Sequence, residues 1–368
     1  MTPREPLHAS RARVRSFMAV VRWYTDMRWP LVLALALASP VLVTPARADH
    51  KAGGPAAPTS TAPTAPTAPA RAPSAPTTRA PDSSARAPAR EPDASPYAPA
   101  ALKAQVAAIA DPALDGRASG STGDTAGRAL IRARLEALGL SPTEQAFDDD
   151  AGHATANILA TLPGSDPDAG IVIVGAHHDH LGGKHLGAND NASGVAAMLA
   201  IADALHGTQP KRTIVFAAWG AEERGEEGSA YFVKHPTVEL ARVVEYVNLD
   251  MVGSYSSRGF VAAMGTFRRL PATAMLAAAR RAFPKLSVGI GGRAERSDHE
   301  AFCEHGVPYV FFWTPDARCY HETCDTPDKL DTAHMAQIAA LAGDLVERLA
   351  NSKLDLRASR AKLGCFGR

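Results

Sequence analysis

The sequence lacks the features that define several common protein classes. Its 368 residues contain no Gly-x-x-x-x-Gly-Lys-Ser/Thr loop, which excludes a P-loop nucleotide-binding site. No apolar run reaches the roughly 18–20 residues that a membrane-spanning helix needs. The chain also has no excess of basic residues: without residues 1–48, it has 32 basic and 36 acidic residues. This balance argues against nucleic acid as a partner, because phosphate binding needs clustered Lys and Arg.

Residues 1–48 have the pattern of an export signal. Arg22 and Arg28 precede an apolar stretch of 13 residues, Leu31–Val43, and Ala46-Arg47-Ala48 fits a small-x-small cleavage site. We therefore predict cleavage before Asp49, a secreted or periplasmic location, and no stable membrane span in the mature chain. An uncleaved membrane anchor is the alternative interpretation.

Residues 49–100 have the composition of a linker. Between residues 49 and 96 the chain has no Val, Ile, Leu, Met, Phe, Trp, Tyr or Cys, and residues 49–100 contain 12 of the 28 prolines. Such a segment cannot bury enough apolar surface to offset the entropy lost on ordering. We predict a disordered, extended linker, which serves either as a tether or as a dispensable pro-region.

The folded domain is predicted to span residues 101–352, with a tail over residues 353–368. Short apolar runs predict strands over Ala169–Ala176, Thr213–Trp219, Val243–Leu249, Phe260–Met264 and Tyr309–Trp313. Helical spacing predicts helices over Ala101–Asp111, Gly127–Leu138, Asn191–His206, Glu226–Lys234, Arg269–Phe283, Asp298–His305 and Thr332–Ala350. Strands that alternate with helices predict an α/β domain with a mainly parallel sheet.

Polar residues gather directly after the predicted strands, where parallel sheets carry their functional sites. They are His177 and Asp179, Asp190 at the start of the next helix, Glu222 and Glu223, Asp250, and His321 in the last loop. Each residue alone has a structural explanation; Asp190, for example, can cap a helix. Their convergence on one edge of the sheet indicates a functional site.

The residue types in this set indicate a metal centre. Imidazole and carboxylate ligands together suit Zn²⁺, with Mn²⁺ or Co²⁺ as substitutes. Asp190, Glu223 and Asp250 supply three negative charges, so that two Zn²⁺ ions and one hydroxide would make the buried site neutral. Glu222 would then remain as a general base beside the metal-bound water.

Six motifs make the chain resemble the zinc aminopeptidases of metallopeptidase family 28, in particular the exported bacterial type with two co-catalytic zinc ions. The motifs are Gly175-Ala-His-His-Asp-His-Leu-Gly182, Gly187-Ala-Asn-Asp-Asn-Ala-Ser-Gly194, Gly220-Ala-Glu-Glu223, Asn248-Leu-Asp-Met-Val-Gly253, Ser297-Asp-His299, and Tyr320-His321 with Asp325-Thr326. They occur in the family's order over about residues 101–350. The resemblance implies a three-layer α/β/α fold of the zinc exopeptidase type, with a mixed, mainly parallel central sheet.

The resemblance also implies a role for each matched residue. His177 and Asp250 would bind one zinc, and Glu223 and His321 would bind the other. Asp190 would bridge both ions, and its peptide bond to Asn191 would be strained. Among the remaining residues, Asp179 would orient His177, Glu222 would be the general base, Tyr320 would stabilise the oxyanion, and Ser297-Asp298-His299 would be structural. The implied reaction removes N-terminal residues from peptides with free N-termini, with a metal-bound hydroxide as nucleophile.

The chain departs from the family pattern in three places. His178 stands where the family usually has Tyr, and it adds an imidazole that could bind a metal adventitiously. Glu226 and Glu227 replace typically apolar residues, so this loop is more acidic. No long insertion separates residues 140 and 171, so the lid-like domain of many relatives is absent and a more open cleft is expected.

Two other functions remain open at this point. Glutaminyl cyclases share the fold and similar ligands but act as acyltransferases with a single zinc, so that the zinc count and a cyclised Gln product would distinguish them. A non-catalytic peptide-binding relative is the other alternative, and an assay with aminoacyl-chromophore substrates would decide it.

The four cysteines suggest how the site loop is held. Cys319 and Cys324 bracket His321, and a disulfide between them would pin that loop in an oxidising compartment. The alternative pairs Cys303 with one of these two. Cys365 lies in the basic tail without an evident partner, and we expect that end to be unstructured.

Overall fold

The computed structural model describes residues 95–316 and 318–366. The predicted signal segment and nearly all of the predicted linker lie outside this range. Within it, no helix combines the length and the apolar character that are needed to cross a membrane.

A mixed eight-stranded sheet forms the centre of the domain. Its strands are β1 (Thr143–Asp148), β2 (Ala154–Leu162), β3 (Ile171–His177), β4 (Thr213–Trp219), β5 (Val243–Leu249), β6 (Val261–Met264), β7 (Val288–Ile290) and β8 (Tyr309–Trp313). Their order across the sheet is β1-β2-β4-β3-β5-β8-β6-β7. The four central strands β4, β3, β5 and β8 are mutually parallel. Strand β2 pairs antiparallel with both β1 and β4, and β6 pairs antiparallel with β8.

Helices cover both faces of the sheet. They are α1 (Pro99–Ile109), α2 (Thr122–Ala137), α3 (Gly194–Leu205), α4 (Glu227–Lys234), α5 (Tyr255–Arg258), α6 (Pro271–Ala279), α7 (His299–Glu304), α8 (Thr332–Asn351) and α9 (Leu356–Leu363). Buried residues of α1, α2, α3, α6 and α8 pack on one face, and those of α4 and α7 pack on the other. The predicted three-layer α/β/α architecture is therefore confirmed.

The central strands are apolar on both faces because both faces are covered. In β3, Val172 and Val174 join the core under α3 and α8, whereas Ile171 and Ile173 join the core under α4 and α7. A strand that is buried on both sides has a continuous apolar sequence and does not alternate. The same burial places the end of β3, and the polar residues after it, deep inside the domain.

The C-terminal tail differs from the expectation of an unstructured end. Residues Leu356–Leu363 form helix α9, and Cys365 is bonded to Cys303 in a disulfide. The Leu356 side chain enters the core, and the Arg360 guanidinium donates a hydrogen bond to the Val243 carbonyl. The expectation was wrong because the partner of Cys365 lies 62 residues away in sequence and is near it only in the fold.

Candidate metal centre

The first part of the site forms where β3 ends. The Nε2 atom of His177 lies 3.2 Å from Oδ1 of Asp190 and 3.4 Å from Oδ1 of Asp250. His177 is the last residue of β3, and Asp250 directly follows the parallel neighbour β5. Because β3 and β5 end at the same edge of the sheet, their terminal residues meet there.

The second part of the site joins two loops to the same aspartate. The Nε2 atom of His321 lies 3.2 Å from Oδ2 of Asp190 and 3.0 Å from Oε2 of Glu223. The two carboxylate oxygens of Asp190 therefore face two different histidines. This is the arrangement that a bridging ligand between two metal ions requires.

The geometry of these residues fits metal ions. Four ligands around a tetrahedral zinc ion would lie about 3.3 Å apart, and the four distances between the residues above are 3.0–3.4 Å. In addition, His177 Nε2, Asp190 Oδ2 and Asp250 Oδ1 are buried without a hydrogen-bond partner among the described residues. Buried polar atoms without a partner are costly, and a metal ion would give each of them one.

The segment that carries Asp190 is held by side chains from distant loops. Both carboxylate oxygens of Asp325 accept backbone hydrogen bonds, from Asn189 at 2.8 Å and from Asp190 at 3.0 Å. The Asn191 side chain donates to the Leu249 carbonyl at 2.9 Å, and the peptide bond between Asp190 and Asn191 is cis. The backbone around Asp190 is thus tied to the loop of His321 and to the end of β5.

Asp179 touches more of the site than the resemblance implied. The Nδ1 atom of His177 is 3.2 Å from the Asp179 backbone carbonyl and 3.7 Å from its carboxylate. That carboxylate accepts the backbone N–H groups of Glu222 and Glu223, at 3.0 and 3.2 Å. Burial raises the pKa of Asp179, but hydrogen bonding and charge from His177, among other partners, outweigh burial and lower it below its usual value. Asp179 therefore remains ionised and holds the turn of both glutamates.

Glu222 stands apart from the ligand-like residues. Its side chain is 12% exposed and lies 3.8 Å from His177 Nε2. Burial raises the pKa of Glu222 well above its usual value; His177 opposes this shift, and Glu223 and Asp250 add to it. A raised pKa makes the carboxylate a better proton acceptor, which is what a general base requires.

A series of four hydrogen bonds leads to the Asp250 carboxylate and orients it. The Ser297 hydroxyl donates to Oδ2 of Asp250 at 2.8 Å, and the Asn248 amide donates to Ser297 at 2.8 Å. Tyr246 donates to Asn248, and the Trp219 indole donates to Tyr246. Ser297 thus orients a ligand-like carboxylate, leaving its other oxygen directed at His177.

His178 does not join the cluster, so the expectation of an adventitious ligand is wrong. Its Nε2 atom is 3.0 Å from the Ala156 carbonyl, and its Nδ1 atom is 3.5 Å from Asp124. His178 therefore contacts residues of β2 and α2 and lies outside the group formed by His177, Asp190 and Asp250.

The residue that the sequence analysis overlooked is His180. It is buried, and its Nδ1 atom lies 2.7 Å from Oε1 of Glu223. Ligand atoms of His180, Asp190 and Glu223 lie within 4.8 Å of one another, close enough to hold one metal ion. The same is true of His177, Asp190 and Asp250. The motif Gly175-Ala-His-His-Asp-His-Leu-Gly182 contained the signal, but nothing in the spacing distinguished His180 from His178.

The cluster opens into a cleft on the surface of the domain. Its lining combines charged residues, which include Asp190, Glu222, Asp250 and Arg296, with the apolar or aromatic side chains of Met251, Phe311, Trp313 and Tyr320. The Tyr320 ring stacks on His321 with centroids 3.8 Å apart. The cleft therefore offers both carboxylates and apolar surface.

The loop of His321 is closed by the predicted disulfide. Cys319 and Cys324 are bonded, which confirms their pairing, and Cys303 pairs with Cys365 instead. His321 has a φ of 59°, a backbone conformation that is rare for residues other than glycine. The ring of six residues from Cys319 to Cys324 limits the freedom of this loop.

Comparison with known proteins identifies the family. The model of Peptidase family M28 matches residues 157–346, which are more than half of the chain. The chain belongs to peptidase family M28. This M28 chain is 33% identical over 248 residues to leupeptin-inactivating enzyme 1 of Streptomyces exfoliatus, over 59% of this chain and 53% of the relative. It is 35% identical over 187 residues to aminopeptidase YwaD of Bacillus subtilis (strain 168), over 48% and 39%. The chain thus spans about half the length, or less, of these curated relatives.

Solved structures share the fold of this M28 chain. A zinc aminopeptidase from Bacillus subtilis superposes with a TM-score of 0.63 at 17% identity, covering 72% of this chain and 97% of that one. A glutaminyl cyclase from Porphyromonas gingivalis superposes with a TM-score of 0.58 at 20% identity, covering 71% and 100%. Because one fold serves both proteins, the fold alone does not choose the reaction.

Proposed function

We propose that this M28 protein is an exported, zinc-dependent aminopeptidase that removes N-terminal residues from peptides. The observation that carries this proposal is the pair of ligand-like groups that share Asp190, with Glu222 beside them in an open cleft. His177, Asp190 and Asp250 would hold one zinc, and Asp190, Glu223 and His321 would hold the other. When bound, the two ions would supply Lewis-acid activation of water and of the scissile carbonyl.

The protein's own residues would position the substrate and move the proton. Carboxylates of the cleft lining would attract a protonated α-amino group, and its apolar residues would accept the side chain of the first residue. Glu222 would take the proton of the attacking water and pass it to the leaving amine. Tyr320 lies in the cleft wall beside His321, where its hydroxyl would stabilise negative charge on the carbonyl oxygen.

The proposed location rests on the N-terminal sequence and on the cysteines. The predicted signal over residues 1–48 favours export to the periplasm or the medium. All four cysteines are paired in disulfides, which is typical of proteins in oxidising compartments. Sequencing the N-terminus of the exported protein tests this part of the proposal, and we expect it to begin at Asp49.

A panel of aminoacyl p-nitroanilides, with N-acetylated versions as controls, tests the activity. We expect release of nitroaniline from substrates with a free amino group, and two zinc ions per chain by metal analysis. Equal hydrolysis of the acetylated substrates would contradict the aminopeptidase assignment. One zinc per chain, with conversion of N-terminal Gln to a cyclic product, would instead support a glutaminyl-cyclase-like acyltransferase. Zinc binding without turnover of any substrate would support a peptide-binding protein.

A further inference from the structure

His180 makes a short contact with one of the ligand-like residues. Its Nδ1 atom lies 2.7 Å from Oε1 of Glu223, and its side chain is buried. A carboxylate can only accept hydrogen bonds, so the imidazole nitrogen that faces it carries the hydrogen. His180 therefore donates to Glu223.

This contact has the length of a hydrogen bond, and it is shorter than the separation of two ligands on one zinc. The ligand-like pairs that involve His177 and His321 are 3.0–3.4 Å apart, near the roughly 3.3 Å of a tetrahedral site. At 2.7 Å, the His180 and Glu223 pair falls below this range and within that of charge-assisted hydrogen bonds.

The contact also divides the two oxygens of Glu223 between different partners. Oε1 accepts from His180, whereas Oε2 lies 3.0 Å from Nε2 of His321. The backbone N–H of Glu223 is held by Asp179 at 3.2 Å. Because Oε1 and the backbone N–H of Glu223 are both held, the position of Oε2 is restricted.

The ring of His180 is itself held in place by its surroundings. A Cβ atom at Gly187 would come within 2.5 Å of the His180 Cγ atom, so only glycine leaves room for the ring there. The backbone N–H of His180 donates to the Arg117 carbonyl, and its ring packs edge-on against His321 with centroids 5.8 Å apart. The ring thus fills the space between the Asp190 loop and Glu223.

We propose that His180 is a positioning residue that sets the affinity of the zinc site formed by Asp190, Glu223 and His321. It holds Oε1 of Glu223 so that Oε2 is presented to the metal. Partners of this kind typically contribute about 10- to 100-fold to metal affinity. The inference rests on the zinc part of the proposed function, and the experiment below separates the two.

The test counts zinc bound to the full chain across a series of buffered free zinc concentrations. We expect the unmodified protein to bind two ions. In His180→Ala, one of the two binding transitions should move to about 10- to 100-fold higher zinc, while the other stays in place. His180→Asn, whose amide can donate to Glu223 from nearly the same position as Nδ1, should recover most of the lost affinity.

His178→Asn is the matched control, because His178 is equally buried two residues away and faces Ala156 and Asp124. It should leave both transitions unchanged. Thermal unfolding of the zinc-free variants shows whether each one folds, so that a folding defect is not mistaken for weak binding.

Four results would overturn the proposal. If His180→Ala binds both ions as tightly as the unmodified protein, the contact between His180 and Glu223 does not contribute to zinc affinity. If His180→Ala takes up only one ion at every zinc concentration, His180 is itself a ligand. If His180→Asn is as weak as His180→Ala, the ring acts through packing and not through its hydrogen bond. If the unmodified protein does not bind two ions, the two-zinc part of the proposed function fails as well.

Discussion

Glu222 and Glu223 are neighbours in sequence but have different surroundings, and this difference predicts different effects of the same substitution. Glu223 is 5% exposed, with its oxygens 2.7 Å from His180 and 3.0 Å from His321. Glu222 is 12% exposed, lines the cleft, and approaches His177 no closer than 3.8 Å. One glutamate is thus placed as a ligand and the other as a base.

Glu222→Gln keeps the shape of the side chain but removes its ability to take a proton. Because loss of a general base typically costs about 10²- to 10⁴-fold, turnover should fall by that factor. This corresponds to about 3–5 kcal/mol in the activation barrier. Both zinc ions should stay bound, because Glu222 is not among the residues that face the two histidines at ligand distance.

Glu223→Gln replaces a charged oxygen that faces His321. The site would keep its full positive charge and lose one negative charge, so we expect one equivalent of metal to be lost at ordinary zinc concentrations. Added zinc should partly restore the activity. No such rescue is expected for Glu222→Gln, whose defect lies in proton transfer.

The assay combines zinc counting by mass spectrometry with the rate of aminoacyl p-nitroanilide hydrolysis, on the same samples. Glu227→Gln is the matched control, because the Glu227 carboxylate accepts from the backbone of Asp150 outside the cluster. It should change neither reading. The reasoning is refuted if Glu222→Gln loses a zinc ion while Glu223→Gln keeps two ions and loses only its rate.

Three further predictions concern the support of the site and of the core. Asp325→Ala leaves two buried backbone N–H groups without their acceptor, including that of Asp190, and should lower the free energy of unfolding by roughly 2–6 kcal/mol in denaturant titrations. Replacing Cys319 and Cys324 by Ser opens the loop of His321; metal analysis should show weaker retention of one zinc, with the secondary structure unchanged by circular dichroism. Burial raises the pKa of Glu245 well above its usual value, so the folded chain binds this proton more tightly than the unfolded chain does. The contribution of Glu245 to the free energy of unfolding is therefore fully present below pH 4.5 and is lost as the pH rises. Glu245→Gln removes this loss, so it should raise the melting temperature more at pH 8 than at pH 4.5. An equal change at pH 4.5 and pH 8 would contradict this explanation.

The sequence alone determined the centre of the sheet and most of the residues that gather at its edge, but not His180. The strands Thr213–Trp219, Val243–Leu249 and Tyr309–Trp313 begin and end where the apolar runs predicted. Strands that are buried on both faces need continuous apolar sequence, so the chain itself marks their ends. Because parallel strands end at one edge, the residues after them could be placed together before any coordinates were known.

The edge strand β1 and its buried neighbour β2 were not predicted from the sequence. Thr143–Asp148 and Ala154–Leu162 form an antiparallel pair at the margin of the sheet, and most side chains of the first strand are not buried. A strand at an exposed edge needs few apolar residues, so its pattern is weak. Its pairing is decided by the neighbouring strand and not by its own composition.

Other features required the tertiary structure because they depend on contacts between distant residues. The bond between Cys303 and Cys365 joins residues 62 positions apart, and no spacing rule selects that pair over the others. His178 and His180 have the same side chain and lie two residues apart, yet one faces Ala156 and the other Glu223. Composition and spacing define which groups gather at the end of β3. The direction of each side chain, and hence its role, is set by the packing of the loops around it.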